Sequence, residues 1–386
     1  MNDILNIGEE VIGSDNLEIL LKNKDNIIAY DGFEPSGRMH IAQGLLRAHN
    51  TNIFIDNGIK FKFWVADWFA LMNLKLGGDL KKINMAGELM IHTWKACGMK
   101  INSVDKEGNK MIEFIKSSEE INKRSDEYWR LVLDIATKFN LNRIKRCTQI
   151  MGRKSTDIGE RLLNLKSIVD NIEDNKELKQ ILNKEIDEMI NMNQNELATS
   201  QIFYPVMQCA DIFFLNCDIC SLGLDQKKVN MLALEYCDKI KRKNKPIIIS
   251  HHMVMGLDGS DKMSKSNPDN TIFMDDNEME VKRKIKKAFC EPQNIEKNPI
   301  LDWIKWIIFP IKKKFIIPEN NKFNTPEKIY DNFNQLEIDF KEGLIYPNDI
   351  KLGLQNMIND LLEPVRQYFK ENKEANNLLN KMKKIK

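Results

Sequence analysis

The stretch that decides the fold reads Asn26-Ile-Ile-Ala-Tyr-Asp-Gly32, then Phe-Glu-Pro-Ser-Gly37, then Arg-Met-His40-Ile-Ala-Gln43-Gly44. A short apolar run that ends at a glycine is typical of a buried strand, and Pro with Gly marks a turn. Beyond His40 the apolar positions recur at helical spacing. The stretch therefore predicts a strand, a turn and a helix, whose first backbone N–H groups and dipole favour a polyphosphate.

Elements of the same kind follow on the C-terminal side. The segment Phe61–Leu71 predicts a second strand, Asp79–Met99 a helix, and Pro246–Ser250 a further strand, with apolar runs at 201–214 and around Ile219 between them. Strands separated by helices at these intervals predict an α/β fold, a Rossmann-like doubly wound parallel sheet. After about residue 275 the pattern becomes helical only. We therefore predict a catalytic domain over 1–274 and an all-α domain over 275–386.

Charge is distributed unevenly between these two parts. The chain of 386 residues has a formal net charge of only +2, and its 42% hydrophobic and 30% charged residues suit a globular enzyme and exclude collagen-like or largely disordered proteins. Residues 281–386, however, contain 21 Lys and Arg against 14 Asp and Glu. A basic C-terminal part on an acidic body is the asymmetry expected of an RNA-binding appendage.

A charged segment interrupts the alternation of strands and helices at about 157–196. It is rich in Asn, Lys, Glu and Asp, and its apolar residues fall at helical spacing: Leu178, Ile181, Leu182, Ile186, Met189 and Ile190. A surface helix or helical hairpin is one interpretation. A partly disordered low-complexity insertion fits the composition equally well, because aromatic residues are few.

Cysteines and apolar runs indicate the compartment. The seven cysteines are scattered and odd in number, which favours reduced thiols and a cytoplasmic protein. Cys217 and Cys220 have the spacing of one half of a zinc ribbon but lack a second pair, so we predict no protein-ligated metal. No apolar run approaches the length of a membrane span. The first 21 residues contain five acids and no Lys or Arg, unlike a leader peptide.

A second motif lies just after the predicted strand Pro246–Ser250. It reads Gly256-Leu-Asp-Gly-Ser-Asp-Lys262-Met-Ser-Lys265-Ser266, within a loop that we place at 256–268. Glycines make such a loop flexible, and two lysines with nearby hydroxyls can wrap a triphosphate. A Lys and Ser run is usually a solvated loop, and a lone His near a turn is usually structural. Together with His40 and Gln43, three residues apart on one helical turn, the two motifs form a specific pair.

This pair resembles the HIGH and KMSKS signatures of class I aminoacyl-tRNA synthetases. Three further elements resemble tyrosyl-tRNA synthetases of the eukaryotic and archaeal branch: Tyr30-Asp-Gly-Phe-Glu-Pro-Ser-Gly-Arg-Met-His40, Tyr204-Pro-Val-Met-Gln208-Cys-Ala-Asp211 and Leu224-Asp225-Gln226-Lys-Lys228. The resemblance extends from about Ile27 to about Phe369. It implies a tyrosine–tRNA ligase that forms tyrosyl-adenylate from ATP with Mg²⁺, transfers the tyrosyl group to tRNA(Tyr), and works as a homodimer.

The resemblance also implies the role of each site residue. Tyr30 and Asp211 would bind the phenolic hydroxyl of tyrosine, and the groups that hold its amino group would be Tyr204, Gln208 and Gln226. ATP would contact His40, Gly44, Gly223, Asp225, Met255, Lys262, Ser264 and Lys265, with His40, Gln43, Lys262 and Lys265 stabilising the transition state. Independently, Tyr204, Gln208 and Asp211 are spaced to share one helix face. A helix whose Tyr204 and Asp211 serve only structural bonds is the alternative.

The C-terminal part resembles the anticodon-binding domain of the family. Asp349 in Leu344-Ile-Tyr346-Pro-Asn-Asp349 would accept a hydrogen bond from the first anticodon base, and Tyr346 and Phe323 would be the aromatic residues near the unstacked bases. On local sequence alone, Asp349 could equally be a helix N-cap. Lys227 stands where relatives often have Arg, and Lys lacks the bidentate fork with which Arg would read the first acceptor base pair.

Two other functions compete with the tyrosine enzyme. A tryptophanyl-tRNA synthetase would share the fold. The indole N–H of tryptophan, however, needs only an acceptor, whereas Tyr30 and Asp211 together offer a donor and an acceptor, which argues against tryptophan as the substrate. A noncatalytic RNA-binding or signalling paralogue belongs to a different class. The intact signature residues His40, Lys262 and Lys265 argue against that alternative.

Overall fold

A six-stranded sheet underlies the first of two compact units. The computed structural model describes residues 2–148, 165–170, 176–194, 197–265, 267–319 and 326–385. The first unit comprises residues 1–120, 217–224 and 246–386, and the second comprises 121–216 and 225–245. The strands are β1 (Glu10–Ile12), β2 (Ile28–Phe33), β3 (Lys60–Val65), β4 (Ile112–Lys116), β5 (Ile219–Gly223) and β6 (Ile247–His251).

The strand order confirms the doubly wound sheet. It is β1-β6-β5-β2-β3-β4, and only β1 pairs antiparallel to its neighbour β6. The chain leaves β2 for β3 on one side and later returns to β5 on the other. The carboxyl ends of β2 and β5 therefore form the topological switch point, where open α/β sheets bind their ligands.

Helices surround the sheet within the first unit. Those of its N-terminal part are α1 (Asn2–Leu5), α2 (Asp15–Asn23), α3 (Arg47–Asp56), α4 (Asp67–Met72), α5 (Leu80–Ala96) and α6 (Ser117–Lys123), the last of which continues into the second unit. The helix over Asp79–Met99 is thus confirmed as α5. Asp79 is its N-cap and accepts from the backbone N–H of Lys81 at 2.9 Å.

The predicted strand Phe61–Leu71 is wrong in its second half. The strand ends at Val65, and α4 begins at Asp67. The side chain of Asp67 accepts from the backbone N–H of Trp68 at 2.9 Å and from the Ser117 hydroxyl at 2.6 Å. Because α4 buries Phe69 beside a buried strand, the apolar run continues through both elements and hides the change of period.

The described part of the second unit is helical. Its elements are α7 (Ser125–Lys138), α8 (Leu141–Lys145), α9 (described over 165–170), α10 (Lys176–Gln194), α11 (Thr199–Phe214) and α12 (Lys227–Lys239). Aromatic residues join α7 to α11, with the rings of Tyr128 and Phe214 edge to face at 4.9 Å between centroids. The helix predicted in the charged insertion is confirmed over α10, which buries Ile186 and exposes Leu178 and Ile181. The other residues of the insertion, 157–164, 171–175 and 195–196, lie outside the described residues.

The C-terminal part is mainly helical and clusters with the sheet in the first unit. Its helices are α13 (Glu278–Lys287), α14 (Pro299–Trp303), a π-helix (Ile304–Ile308), α15 (Phe309–Lys312), α16 (Phe333–Lys341), α17 (Pro347–Glu371) and α18 (Lys373–Lys383). The prediction of helices only is wrong, because β7 (Phe315–Ile317) and β8 (Lys328–Tyr330) form an antiparallel pair. Three residues are too few to show a period of two. No helix among the described residues is long and apolar enough to cross a bilayer.

Candidate active site

The turn after β2 presents His40 at the switch point of the sheet. Gly37 within this turn has a φ of 107°, a backbone conformation that residues other than glycine rarely adopt. His40 then pairs antiparallel with Phe273, and the Ile41 N–H donates to the Ile272 carbonyl at 2.9 Å. The first signature is therefore held by the segment that follows the second signature, although more than 200 residues separate them in sequence.

Hydrogen bonding defines the protonation of His40. The backbone N–H of Gln43 donates to Nδ1 of His40 at 3.4 Å, so this nitrogen carries no proton and the other one does. Burial, reinforced by the charge of Lys265, lowers the pKa of His40 to about 3. His40 is therefore a neutral imidazole at physiological pH whose Nε2–H can donate to an oxyanion.

A π-helix follows directly, over Ala42–Leu46. Such turns occur often at functional sites, and the wider turn carries Gln43 and Gly44. The Gln43 carbonyl accepts from the indole N–H of Trp94 at 2.8 Å. A Cβ on Gly44 would overlap the side chain of Met274, approaching its Cγ to 2.6 Å. The resemblance implied that Gly44 contacts ATP; in the structure its lack of a side chain accommodates Met274, and the contact with ATP stays a prediction.

Lys265 of the second signature faces the turn that carries the first. Its Nζ donates to the hydroxyl of Ser36 at 3.0 Å. Burial and the nearby charge of Lys75 lower the pKa of Lys265 to about 7, and Glu34 partly opposes that shift. Glu34 itself pairs with Lys75 at 3.3 Å and accepts from the Asn73 amide at 2.9 Å. Cations are thus held close together, an arrangement that a bound polyanion would stabilise.

The rest of the 256–268 loop is braced from within. Asp258 accepts from the backbone N–H of Ser260 at 3.1 Å and from its hydroxyl at 2.5 Å. The Asn270 amide donates to Asp258 at 3.3 Å, and its oxygen accepts from the Ser264 N–H at 3.4 Å. Lys262 is exposed on this loop, and Ser266 lies outside the described residues. The loop therefore has a defined shape although its lysines point to different environments.

Met255, which the resemblance places against ATP, has both backbone polar groups engaged in hydrogen bonds. Its N–H donates to Oδ2 of Asp302 at 2.9 Å, and its carbonyl accepts from the indole N–H of Trp303 at 2.8 Å. A carbonyl keeps a second lone pair, but an N–H has only one hydrogen. Met255 can therefore offer a base an acceptor without breaking a bond, but not a donor.

In the second unit, α11 presents the predicted tyrosine-binding face. Tyr204, Gln208 and Asp211 are all buried on this helix, as their spacing predicted. The Gln208 amide donates to the side-chain oxygen of Gln226 at 3.1 Å, which brings two of the predicted residues together. A residue that we did not predict joins them, because the hydroxyl of buried Tyr128 donates to Oδ1 of Asp211 at 2.9 Å.

The remaining predicted residues lie in three places. Tyr30 is buried on β2, and Gly223 is the last residue of β5, both in the first unit. Asp225 is exposed in the short 3₁₀ turn Leu224–Gln226. In the C-terminal part, Tyr346 is the N-cap of α17 with 67% of its surface exposed, and Asp349 is the third helical residue. The N-cap alternative for Asp349 is therefore wrong; Phe323 lies outside the described residues.

A network of charges supports the first signature from the C-terminal part. Arg38, two residues before His40, donates to Asp275 at 2.8 Å and to Asp276 at 3.0 Å. Lys383 of α18 pairs with Asp275 at 2.8 Å, and buried Lys284 of α13 pairs with Asp276 at 2.5 Å. We missed this network because no local pattern relates Arg38 to acids more than 230 residues away.

Comparisons with known proteins identify the class first. The model of the family described as tRNA synthetases class I (W and Y) matches residues 22–162 and 160–363. The chain belongs to this family. Its homologues are tyrosine–tRNA ligases, class I synthetases that activate tyrosine with ATP and charge tRNA(Tyr).

Within this family, the similar proteins are specific for tyrosine by name. The chain is 48% identical to tyrosine–tRNA ligase 1, cytoplasmic, of Arabidopsis thaliana, over 98% of this chain and 87% of the relative. It is 45% identical to tyrosine–tRNA ligase 2, cytoplasmic, of that organism, over 98% of this chain and 44% of the relative. Among solved structures, the Leishmania major tyrosyl-tRNA synthetase in complex with tyrosinol superposes with a TM-score of 0.82 at 40% identity, covering 100% of this chain and 52% of that one. The chain thus spans about half the length of the last two relatives.

Proposed function

We propose that the chain joins L-tyrosine to the 3′ end of tRNA(Tyr) by way of tyrosyl-adenylate. One observation carries the proposal: the turn before His40 holds Lys265 through Ser36, at the switch point of the sheet, with the Lys265 pKa lowered to about 7. Such a cation is poised to bind an anion, because phosphate oxygens restore the charge that burial disfavours. ATP, with the Mg²⁺ that enters as part of the substrate, is that anion.

In the first step, the tyrosine carboxylate attacks the α-phosphorus, and the bond to the β-phosphate breaks as pyrophosphate leaves. The carboxylate is already ionised at neutral pH, so no general base is required. Neutral His40 donates its Nε2–H to a phosphoryl oxygen, while Lys262 and Lys265 stabilise the charge on the leaving pyrophosphate. Gln43 assists on the same helical turn, and Lys75 adds a cation that we did not foresee. In the second step, a tRNA hydroxyl attacks the tyrosyl carbonyl and AMP leaves.

The other predicted residues complete the substrate sites. Tyr30 and Asp211 would bond the phenolic hydroxyl, and Tyr204, Gln208 and Gln226 the amino group. For tyrosine selection, Asp211 oriented by Tyr128 supplies a fixed acceptor, and a substrate without a hydroxyl would leave it without that bond. Around ATP, we assign the ribose to Gly223 and Asp225, with Gly44, Met255 and Ser264 lining the nucleotide.

For tRNA, we assign the anticodon bases to Tyr346 and Asp349, with Phe323 as a second aromatic. The exposed ring of Tyr346 at the start of α17 supports this assignment, because an exposed aromatic can stack on an unpaired base. We therefore also propose that residues 275–386 form the anticodon-binding domain, with the boundary to the catalytic domain at residue 274.

We also propose a homodimer in the cytoplasm. The second unit exposes several large apolar side chains, as expected of a surface that a second copy would cover: Trp129, Leu133, Leu141, Leu165, Ile168, Leu178, Ile181, Met189 and Phe203. Light scattering should give twice the chain mass, and Leu133→Glu should shift the protein to monomer. A stable, fully active monomer would contradict the dimer.

Pyrophosphate exchange without tRNA tests the first step. We expect exchange of labelled pyrophosphate into ATP to depend on tyrosine, with tryptophan and phenylalanine giving little or none. Exchange driven better by tryptophan would contradict the tyrosine assignment. No exchange with any amino acid would support a noncatalytic protein.

Asp349→Ala tests tRNA reading. A side chain that reads one base edge is worth about 1 to 3 kcal/mol, so charging of tRNA(Tyr) should fall about ten- to a hundredfold while exchange stays intact. Discrimination against tRNA altered at the first anticodon base should also weaken. Asp360→Ala, an exposed acid on the same helix, is the matched control. Wild-type charging and preference in Asp349→Ala would remove Asp349 from the anticodon site.

A further inference from the structure

The start of the 256–268 loop is attached to α14 by side chains that no substrate role explains. Asp302 and Trp303 hold the N–H and the carbonyl of Met255, the residue immediately before Gly256. Trp303 is fully buried, and Asp302 is nearly so, with 11% of its side chain exposed. Burying a carboxylate costs free energy unless its oxygens are hydrogen-bonded, so the partners of both Asp302 oxygens matter to the structure.

The other carboxylate oxygen of Asp302 contacts His252, which in turn contacts Glu9 and Trp306. Oδ1 bonds Nε2 of His252 at 2.7 Å, and Nδ1 of His252 bonds Glu9 at 3.0 Å. The imidazole also stacks on Trp306, with 4.5 Å between ring centroids and 11° between planes. Burial alone would lower the pKa of His252, but the bonds and charges of Asp302 and Glu9 outweigh it and raise the pKa. Asp302 is therefore fixed in one orientation.

The attachment lies at the base of the loop that carries both lysines. Next to Met255, the Val254 carbonyl accepts from the Met263 N–H at 3.1 Å, and Leu257 N–H donates to the Asn270 carbonyl at 2.9 Å. The two sides of the loop are thus joined on either side of Met255. A shift of the Met255 backbone would be transmitted to Met263, which lies between Lys262 and Lys265.

We propose that Asp302 is a positioning residue for the ATP-dependent step. It fixes the Met255 backbone, with Trp303 as its partner, and so aligns Lys262 and Lys265 with the triphosphate; the inference rests on the proposed function of those lysines. Both carboxylate oxygens of Asp302 are engaged by protein groups, so we assign it no contact with substrate. Its effect is therefore on ATP and on the rate of adenylate formation, not on tyrosine.

The decisive experiment compares Asp302→Ala with Glu9→Gln. Both remove a carboxylate from His252, but only Asp302→Ala frees the Met255 N–H. In tyrosine-dependent exchange, we expect Asp302→Ala to lower kcat/KM for ATP about tenfold, through a higher KM for ATP, a lower kcat or both. This is the size expected for one hydrogen bond to a charged group. The KM for tyrosine should stay within about twofold, and Glu9→Gln should resemble wild type. Asp302→Asn, which keeps an oxygen for Met255, should recover most of the loss.

A second measurement does not depend on activity. Trypsin cleaves after lysine, so cleavage at Lys262 and Lys265 should be several-fold faster in Asp302→Ala than in wild type or Glu9→Gln, at equal stability in urea. Equal cleavage and equal ATP kinetics in all three proteins would overturn the proposal, as would a loss confined to tyrosine affinity. If wild type gave no exchange at all, the proposed function would fail, while the trypsin comparison would still decide whether Asp302 holds the loop.

Discussion

The nucleotide region, around His40 and Lys265, and the tyrosine region, on α11, differ in the physical means by which they would bind a substrate. Around His40 and Lys265, burial and like charges shift both pKa values down, to about 3 and about 7. On α11, by contrast, Gln208 and Asp211 are already bonded to protein partners, Gln226 and Tyr128. The first region stores unfavourable charge that an anion relieves, and the second presents donors and acceptors in fixed directions. Rate should therefore depend on the first region and selectivity on the second.

Removal of Lys265 should have the largest effect. Lys265→Ala takes away a charge that acts on the leaving pyrophosphate, and loss of one such group typically costs about 10²- to 10³-fold in rate. Tyrosine affinity should change little. Pre-steady-state adenylate formation measures both, with Lys81→Ala, an exposed lysine on α5, as control. Weakened tyrosine binding at an unchanged rate would erase the distinction between the two regions.

Tyr128→Phe should act on the other side of the comparison. It removes the hydroxyl that donates to Asp211 but keeps the ring against Phe214, so tyrosine affinity should fall about tenfold or more with little effect on ATP. Tyr236→Phe is the matched control, because its hydroxyl donates to Asp134 at 2.6 Å in the same unit. Equal effects of the two substitutions on tyrosine affinity would show that the loss reflects general stability.

The lowered pKa of Lys265 predicts proton uptake on ATP binding. In the free protein Lys265 loses its proton above about pH 7, and bound phosphate raises its pKa again. From pH 7 to 9, affinity for ATP should fall by at most about tenfold per pH unit, with uptake approaching one proton per ATP at the upper end. Calorimetry in buffers of different ionisation enthalpy measures that uptake. Lys265→Ala should abolish it, and an unchanged uptake would assign the proton to another group.

The smallest effect concerns packing next to His40. Gly44→Ala should destabilise the protein by about 1 to 3 kcal/mol in urea, because its methyl group would overlap Met274. Combining it with Met274→Ala should recover part of the loss. If Gly44→Ala were as stable as wild type but weakened ATP binding, the nucleotide would approach Gly44 after all.

The two regions also differed in how far sequence could predict them. His40, Lys262 and Lys265 belong to compact motifs, and the Tyr204, Gln208 and Asp211 spacing followed from helix geometry. Tyr128 could not be predicted, because its bond to Asp211 joins helices 83 residues apart in sequence. Met274 over Gly44 is likewise a packing result. The β7–β8 pair was missed because its strands are too short to show a period, and the end of β3 at Val65 because its buried residues continue without a break into the start of α4.

The contact between α18 and the first signature makes the end of the described chain a support of the catalytic turn. Lys383 shares Asp275 with Arg38, and Met382 lies 3.8 Å from where a side chain on Gly37 would begin. Truncation after Glu371 would thus act as an active-site mutation at a distance, even though it removes no substrate contact. A preparation clipped by proteases within α18 would lose specific activity before it lost mass detectable on a gel.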